Sequence, residues 1–255
     1  MVETEPTVRP RFFFVHVQKA AGTALLQRLT RHFERRAIYP DESDGDAFTV
    51  APQISVDQLL ARWEQRRDEI EIVTGHFPAA TAELLGADFV TLTVLREPVE
   101  RVLSQLRRYR ERGPVAADSS LEEIYDAGSK TLASPNHMVK MFALTADEVA
   151  ASTAPQGWAM LTRVDFAPEH LVRAKERLSR IDVLGLRERF EEFCDELQSR
   201  FGWDLGDPVH ANRTARGPEV SDAFRARIAA DNALDVEFFE FARRLYERRR
   251  SERLG

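Results

Sequence analysis

Apolar positions along this chain follow two rhythms, and the alternation between them predicts an α/β architecture. Runs that are apolar on both faces occur at Phe12 to Val17, Ile70 to Thr74, Phe89 to Leu95 and Ile181 to Leu186. Such runs suit the strands of a parallel sheet covered on both sides. Between them, apolar residues return at helical spacing. Leu25, Leu26 and Leu29 mark one helix, and Ser55 caps another through Leu59, Leu60 and Trp63 to about Asp68. Pro98 opens a helix whose face is Val99, Val102, Leu103 and Leu106. Pro168 opens one with Leu171, Ala174 and Leu178 on one side, and Glu188 to Phe201 turns Phe190, Phe193, Cys194 and Leu197 inward. Phe238, Ala242, Leu245 and Tyr246 stripe a final helix. Residues 1–10 read as a loose tail, Tyr39 to Pro52 as a solvated acidic loop, and Leu121 to Tyr125 as a short helix in a polar stretch. The expectation is a single domain over residues 1–255 with a central parallel sheet flanked by helices.

Chemistry gathers where strands end. After the first strand come Gln18, Lys19, Ala20, Ala21, Gly22 and Thr23, then Ala24 and the helix. Small residues let backbone N–H groups approach an anion, and the helix N-terminus adds roughly half a positive charge. Lys19 supplies a full one. The nucleoside-triphosphate loop G-x-x-x-x-G-K-S/T does not fit, because Lys19 precedes Gly22 by three residues and no first glycine opens the loop. His76 follows the second strand in Gly75-His76, placed to act as a general base near neutral pH. Arg96 follows the third strand, and Ser104 lies two turns down the next helix; together they suit a terminal phosphate.

The order H-x-x-K-x-x-G-T-x-L, from His16 to Leu25, resembles the 5′-phosphosulfate loop of sulfotransferases in the heparan sulfate 2-O-sulfotransferase-like branch. That branch reads H-I-P-K-T-A/G-G/S-T-S-L, so Gln18 stands for the proline, Ala20 for a threonine and Ala24 for a serine. Two hydroxyl donors are absent, which leaves Lys19, Thr23 and the backbone to hold phosphate. The stretch L-R-E-P-V-E-R-V-L-S, Leu95 to Ser104, resembles the 3′-phosphate motif L-R-D-P-x-x-R-x-x-S, with Glu97 for the aspartate. The branch also carries a catalytic histidine in a Gly-His pair, commonly with another two residues earlier, where this chain has Thr74. A later loop in the family folds over the nucleotide, which makes Asn212, Arg213 and Thr214 candidates here.

The resemblance implies a P-loop nucleotide-kinase-like fold and a sulfotransferase using 3′-phosphoadenosine 5′-phosphosulfate without a metal. Lys19 and His76 would be catalytic, and Gln18 to Ala24, Arg96, Ser104 and residues 212–214 would bind the donor. The alternatives are an ATP-dependent small-molecule kinase and a non-catalytic nucleotide-binding protein on the same fold.

Composition narrows the partners. The net charge of −6 argues against a general polyanion-binding surface, and no nucleic-acid motif accompanies the arginines at 243–250. Four lysines (19, 130, 140 and 175) stand among 36 basic residues, so a lysine in the loop is a marked choice. Cys194 reads as a buried, inert thiol. No signal-like or membrane-spanning run occurs, so the expectation is a cytoplasmic protein acting on a small-molecule, glycolipid or carrier-bound hydroxyl acceptor. Glu100 and Arg101 read as helix-surface ion-pair partners, and His137 and Lys140 as a solvated helix face rather than part of an acceptor pocket.

Overall fold

A computed structural model describes residues 10–45, 51–113, 118–132, 135–151, 164–207 and 220–254. Its sheet comprises β1 (Arg11–Val15), β2 (Ile38–Tyr39), β3 (Ile72–Val73), β4 (Phe89–Leu95) and β5 (Val183–Leu186). All neighbours are parallel, in the order β2-β3-β1-β4-β5. The four predicted strands are present, with β4 matching its apolar run and the others trimmed at their ends. β2 is an addition. Its two residues are too few to show a period, and it is held by pairing Ile38 with Ile72 and Tyr39 with Val73.

The helices are α1 (Gly22–His32), α2 (Ala51–Ile54), α3 (Val56–Arg66), α4 (Thr81–Leu84), α5 (Pro98–Arg112) and α6 (Leu121–Leu132). They continue as α7 (His137–Ala143), α8 (Ala146–Ala150), α9 (Pro168–Ser179), α10 (Phe190–Phe201), α11 (Asp222–Asp231) and α12 (Ala233–Leu254). Alternation along β1 divides the core. Phe13 and Val15 face one layer with Leu59 and Trp63 of α3, Met138 and Phe142 of α7, and Phe238 and Tyr246 of α12. Phe12 and Phe14 face the other, with Leu25 and Leu29 of α1 and Phe193, Cys194 and Leu197 of α10. Burial pushes the Cys194 thiol up to about 12, which fits the inert role expected of it. Ser55 caps α3 as expected, accepting the Gln58 N–H.

Several expectations change. α6 extends past Tyr125 to Leu132, and Leu121, Ile124 and Tyr125 pack with α5 and α11 in a third apolar cluster. The acidic loop is not uniformly solvated, since Asp44 is fully buried and bonds Arg66 Nε at 3.0 Å. Arg101 is buried and faces Asp235 of α12 rather than the surface, while Glu100 pairs with Arg225 at 2.7 Å. His137 and Lys140 are buried too, because α7 is enclosed on every side. The arginines of α12 serve partly as internal ties: Arg249 donates to the Ile181 and Ser179 carbonyls, and Arg250 bonds Glu192.

α7 and α12 cap one another. The Asn136 side chain accepts the N–H groups of Leu234 and Asp235 at 3.0 and 3.2 Å. In return, the Asp235 carboxylate accepts those of Met138 and Val139 at 3.1 and 2.8 Å. Asn232 Oδ1 also takes the Asn136 N–H at 3.1 Å. Each helix start thus gives its otherwise orphaned donors to the other. Among the described residues no helix is long and apolar enough to cross a membrane.

Candidate functional site

β1 is the switch point of the sheet, because the chain leaves it toward β2 and β3 on one side and later adds β4 and β5 on the other. Crevices beyond the carboxyl ends of strands at such a point are where open α/β sheets take ligands. Three segments end there: the loop after β1, Gly75-His76 after β3, and Arg96 after β4.

The loop is shaped by two non-glycine residues with positive φ, Lys19 at 67° and Ala21 at 81°. Alternating left-handed residues of this kind turn successive backbone N–H groups toward one concavity, an anion nest. α1 begins immediately after, and Leu25 N is its first amide to find a carbonyl, that of Ala21. The amides of Gly22, Thr23 and Ala24 therefore have no partner within the helix. Thr23 is exposed at this end. Ala20 is buried in the core, so a hydroxyl at that position would point into packing rather than at a ligand. Ala24 and Ala21 pack partly against the α1–α10 layer.

Strain at Ala21 gives a direct prediction. A left-handed L-residue costs about 1–2 kcal/mol, whereas glycine's extra chain entropy costs about 0.5–1 kcal/mol. Ala21→Gly should therefore stabilise the protein by roughly 0.5 kcal/mol or more in urea unfolding. A loss of stability would show that the loop is not strained there.

Several positive charges converge on this loop, partly balanced by Glu97, Glu100 and Glu111. Burial lowers the Lys19 pKa, and the charges of Arg108, Arg96 and Arg112 lower it further, against a weaker opposing pull from Glu111. Burial likewise lowers the Arg96 pKa, with Arg187 and Arg107 adding repulsion and Glu100 and Glu97 opposing it. Arg96 Nη1 donates to the Lys19 carbonyl at 3.2 Å, so the strand-end arginine holds the loop itself. Its Nη2 lies 3.8 Å from Glu100. Glu97 caps α5, accepting the N–H groups of Val99 and Glu100 at 3.1 and 2.7 Å, a role that an aspartate fills equally well. Ser104 is half-buried on α5, and among the described residues no hydrogen bond joins it to Arg96. Residues 212–214 lie outside the described residues.

His76 does not stand alone. Its ring centroid is 4.0 Å from that of His16, which the sequence reading did not place in the site. The two are cross-tied between strands: His16 Nδ1 donates to the Thr74 carbonyl, and His76 Nδ1 donates to the His16 carbonyl, each at 3.0 Å. A carbonyl can only accept, so His76 carries its proton on Nδ1 and keeps a lone pair on Nε2. Burial lowers the His76 pKa below its ordinary value; the hydrogen bond to His16 opposes this and the Lys19 charge adds to it. His76 is thus held as the neutral base. Gly22 makes this packing possible. A Cβ there would lie 1.6 Å from His16 Nε2.

The structure therefore brings together the loop, Lys19, Arg96 and His76, and adds His16, Arg107, Arg108 and Arg187. The arginines carried no sequence signal beyond their number. His16 stood in the H-x-x-K order, but its neighbour His76 is 60 positions away. A scan of the chain against models of known protein families matches none, and a search of curated proteins returns no match.

Proposed function

We propose that the chain is a sulfotransferase using 3′-phosphoadenosine 5′-phosphosulfate on a P-loop nucleotide-kinase-like fold, acting on a hydroxyl acceptor. The observation that carries this reading is the positively lined nest around Lys19 and Arg96 with a neutral, tautomer-fixed histidine beside it. The nest fits an anion: amides at a helix start, a lysine and a strand-end arginine surround one concavity. The nearby base fits a proton-transfer reaction rather than simple anion storage.

The donor, when bound, supplies an activated sulfuryl group. Lys19 and the amides of residues 22–24 hold its 5′ side and stabilise negative charge growing on the phosphate oxygen. Arg96, with Ser104 further along α5, holds the 3′-phosphate and keeps the loop in place through the Lys19 carbonyl. His76 Nε2 accepts the acceptor's hydroxyl proton. Acceptors of the small-molecule, glycolipid or carrier-bound classes suit this chemistry equally.

Calorimetry tests the donor. 3′-Phosphoadenosine 5′-phosphate should bind roughly 10- to 100-fold more tightly than AMP, as expected for one charge-assisted contact. Arg96→Ala should bring that ratio close to one, even though loosening the loop weakens both ligands. Equal affinity for the two nucleotides in the native chain, or tighter binding of ATP with Mg²⁺, would remove the reading in favour of a kinase or another nucleotide binder.

A further inference from the structure

His16 is gripped on several sides, although the donor scheme gives it no task. The register that pairs Phe12 with Ile72 and Phe13 with Val73 carries on past the strands and sets residue 16 beside residue 76. The His16 ring packs on that of Phe14, with centroids 5.2 Å apart and planes at 23°, and on that of His76 at 4.0 Å and 43°. Its Nδ1–H is given to the Thr74 carbonyl, and Nε2 abuts Gly22, where α1 begins. Thr74 is itself fixed, because its N–H and its hydroxyl both donate to the Tyr39 carbonyl, at 2.8 and 2.9 Å. A chain of contacts therefore runs from β2 through the end of β3 to the His16 ring, and ends on His76.

The base has less to hold it. Among the described residues the His76 side chain makes one hydrogen bond, from Nδ1 to the His16 carbonyl. One such bond fixes a point on the ring and leaves its plane free to turn. The His16 ring stops that turning, and so decides where His76 Nε2 aims. It also covers one side of His76, and burial is the main reason that the His76 pKa lies below its ordinary value. Among the described residues, the titratable groups that face His76 are Lys19 in the loop, His16 after β1 and His137 on α7. Lys19 adds to the lowering, while His137 is held neutral by its own burial, reinforced by nearby charges. His16 is held neutral as well, by burial and by any charge on His76, against the opposing pull of its bond to Thr74. It does not compete for the acceptor's proton.

We propose that His16 is a positioning residue for the base: its ring is the wall that sets the plane of His76 and keeps water from it. This rests on the reading of His76 as the base of a sulfotransferase and adds the residue that aims it. A histidine suits the place because one N–H anchors the wall to Thr74 while the flat ring lies on His76. A phenyl ring would lack the anchor, and an amide would lack the wall.

His16→Asn in the full chain tests this, because the asparagine amide can replace the bond to Thr74 but brings no ring. NMR titration with isotope-labelled histidine follows His76 directly and needs no acceptor. In the native chain His76 should show the Nδ1–H tautomer alone and a midpoint below 6.5. In His16→Asn the midpoint should rise by roughly half a unit or more as water reaches the ring. Release of labelled sulfate from the donor, with water as the hydroxyl, reads turnover. It should fall by about 10- to 100-fold, with affinity for 3′-phosphoadenosine 5′-phosphate unchanged in calorimetry. In the His76→Gln background the same substitution should cause no further loss, as a residue that acts only through His76 requires. An unmoved midpoint, equal losses in both backgrounds, or a fall in nucleotide affinity that accounts for the lost rate overturns the role. Should His16→Asn fail to fold, the native spectrum decides: Overhauser contacts between the two rings and a single His76 tautomer are expected, and the absence of either overturns it. A chain that shows the His76 shift but neither binds the nucleotide nor releases sulfate removes the sulfotransferase reading and upholds His16 as the residue that sets His76.

Discussion

His76→Gln should lower kcat by about 10²- to 10⁴-fold while leaving affinity for 3′-phosphoadenosine 5′-phosphate unchanged. Glutamine is of similar size and can still donate to the His16 carbonyl, so the cross-tie between the ends of β1 and β3 has a substitute. What it lacks is the basic nitrogen opposite that bond. The pH profile of the native enzyme carries the same signature. His76 must be neutral to accept a proton, and burial holds its pKa below the ordinary 6.5. Activity should therefore be level near pH 7 and fall as the medium is acidified through that lowered value. Lys19 must stay protonated, and its pKa is lowered from 10.5, so the alkaline limb begins earlier than a free lysine would allow. Unchanged turnover in His76→Gln, or loss of its acid limb with no loss of rate, would assign the base elsewhere.

Asp235→Ala should cost about 3–5 kcal/mol of stability, the range found when one member of a buried ion pair is removed. Two effects combine. Arg101 loses the carboxylate beside it in the interior, and the amides of Met138 and Val139 lose their acceptor. The Asp235 pKa is raised overall by burial, with the Arg101 charge and both backbone donors opposing the shift. Adding Arg101→Met to Asp235→Ala should recover part of the loss, because the stranded charge goes too. Urea unfolding of the single and double variants measures both. A single-variant loss under about 1 kcal/mol would mean that water, rather than Asp235, compensates Arg101.

How far the sequence reached depended on whether a residue's environment was set by its neighbours in the chain. β1 and β4 were legible because Phe12 to Val15 and Phe89 to Leu95 are apolar on both faces, and the site segments lie where those runs end. His76 was placed by the same logic, as the residue beyond a strand. Arg101, His137 and Lys140 were misread for the opposite reason. A polar residue on an amphipathic helix ordinarily faces water, and Asp235, the carboxylate near Arg101 and Lys140, lies roughly 130 and 100 positions from them in the chain. Asp44 was misread likewise, its partner Arg66 lying 22 residues on. His16 looked like an interior residue of the first apolar run until β3 came alongside and set His76 on its ring. Ala20 looked like a missing hydroxyl until the backbone at Lys19 and Ala21 turned its side chain into the core.

The exchange of side chains between the starts of α7 and α12 also fixes how this region breathes. Each of the amides of Asn136, Met138, Val139, Leu234 and Asp235 is held by a side chain from the opposite segment. Undocking one segment releases both sets. Their protons therefore trade with solvent as a single unit, at one common opening free energy, although the chain between them is about a hundred residues long. Fraying of either helix start is in this way tied to fraying of the other.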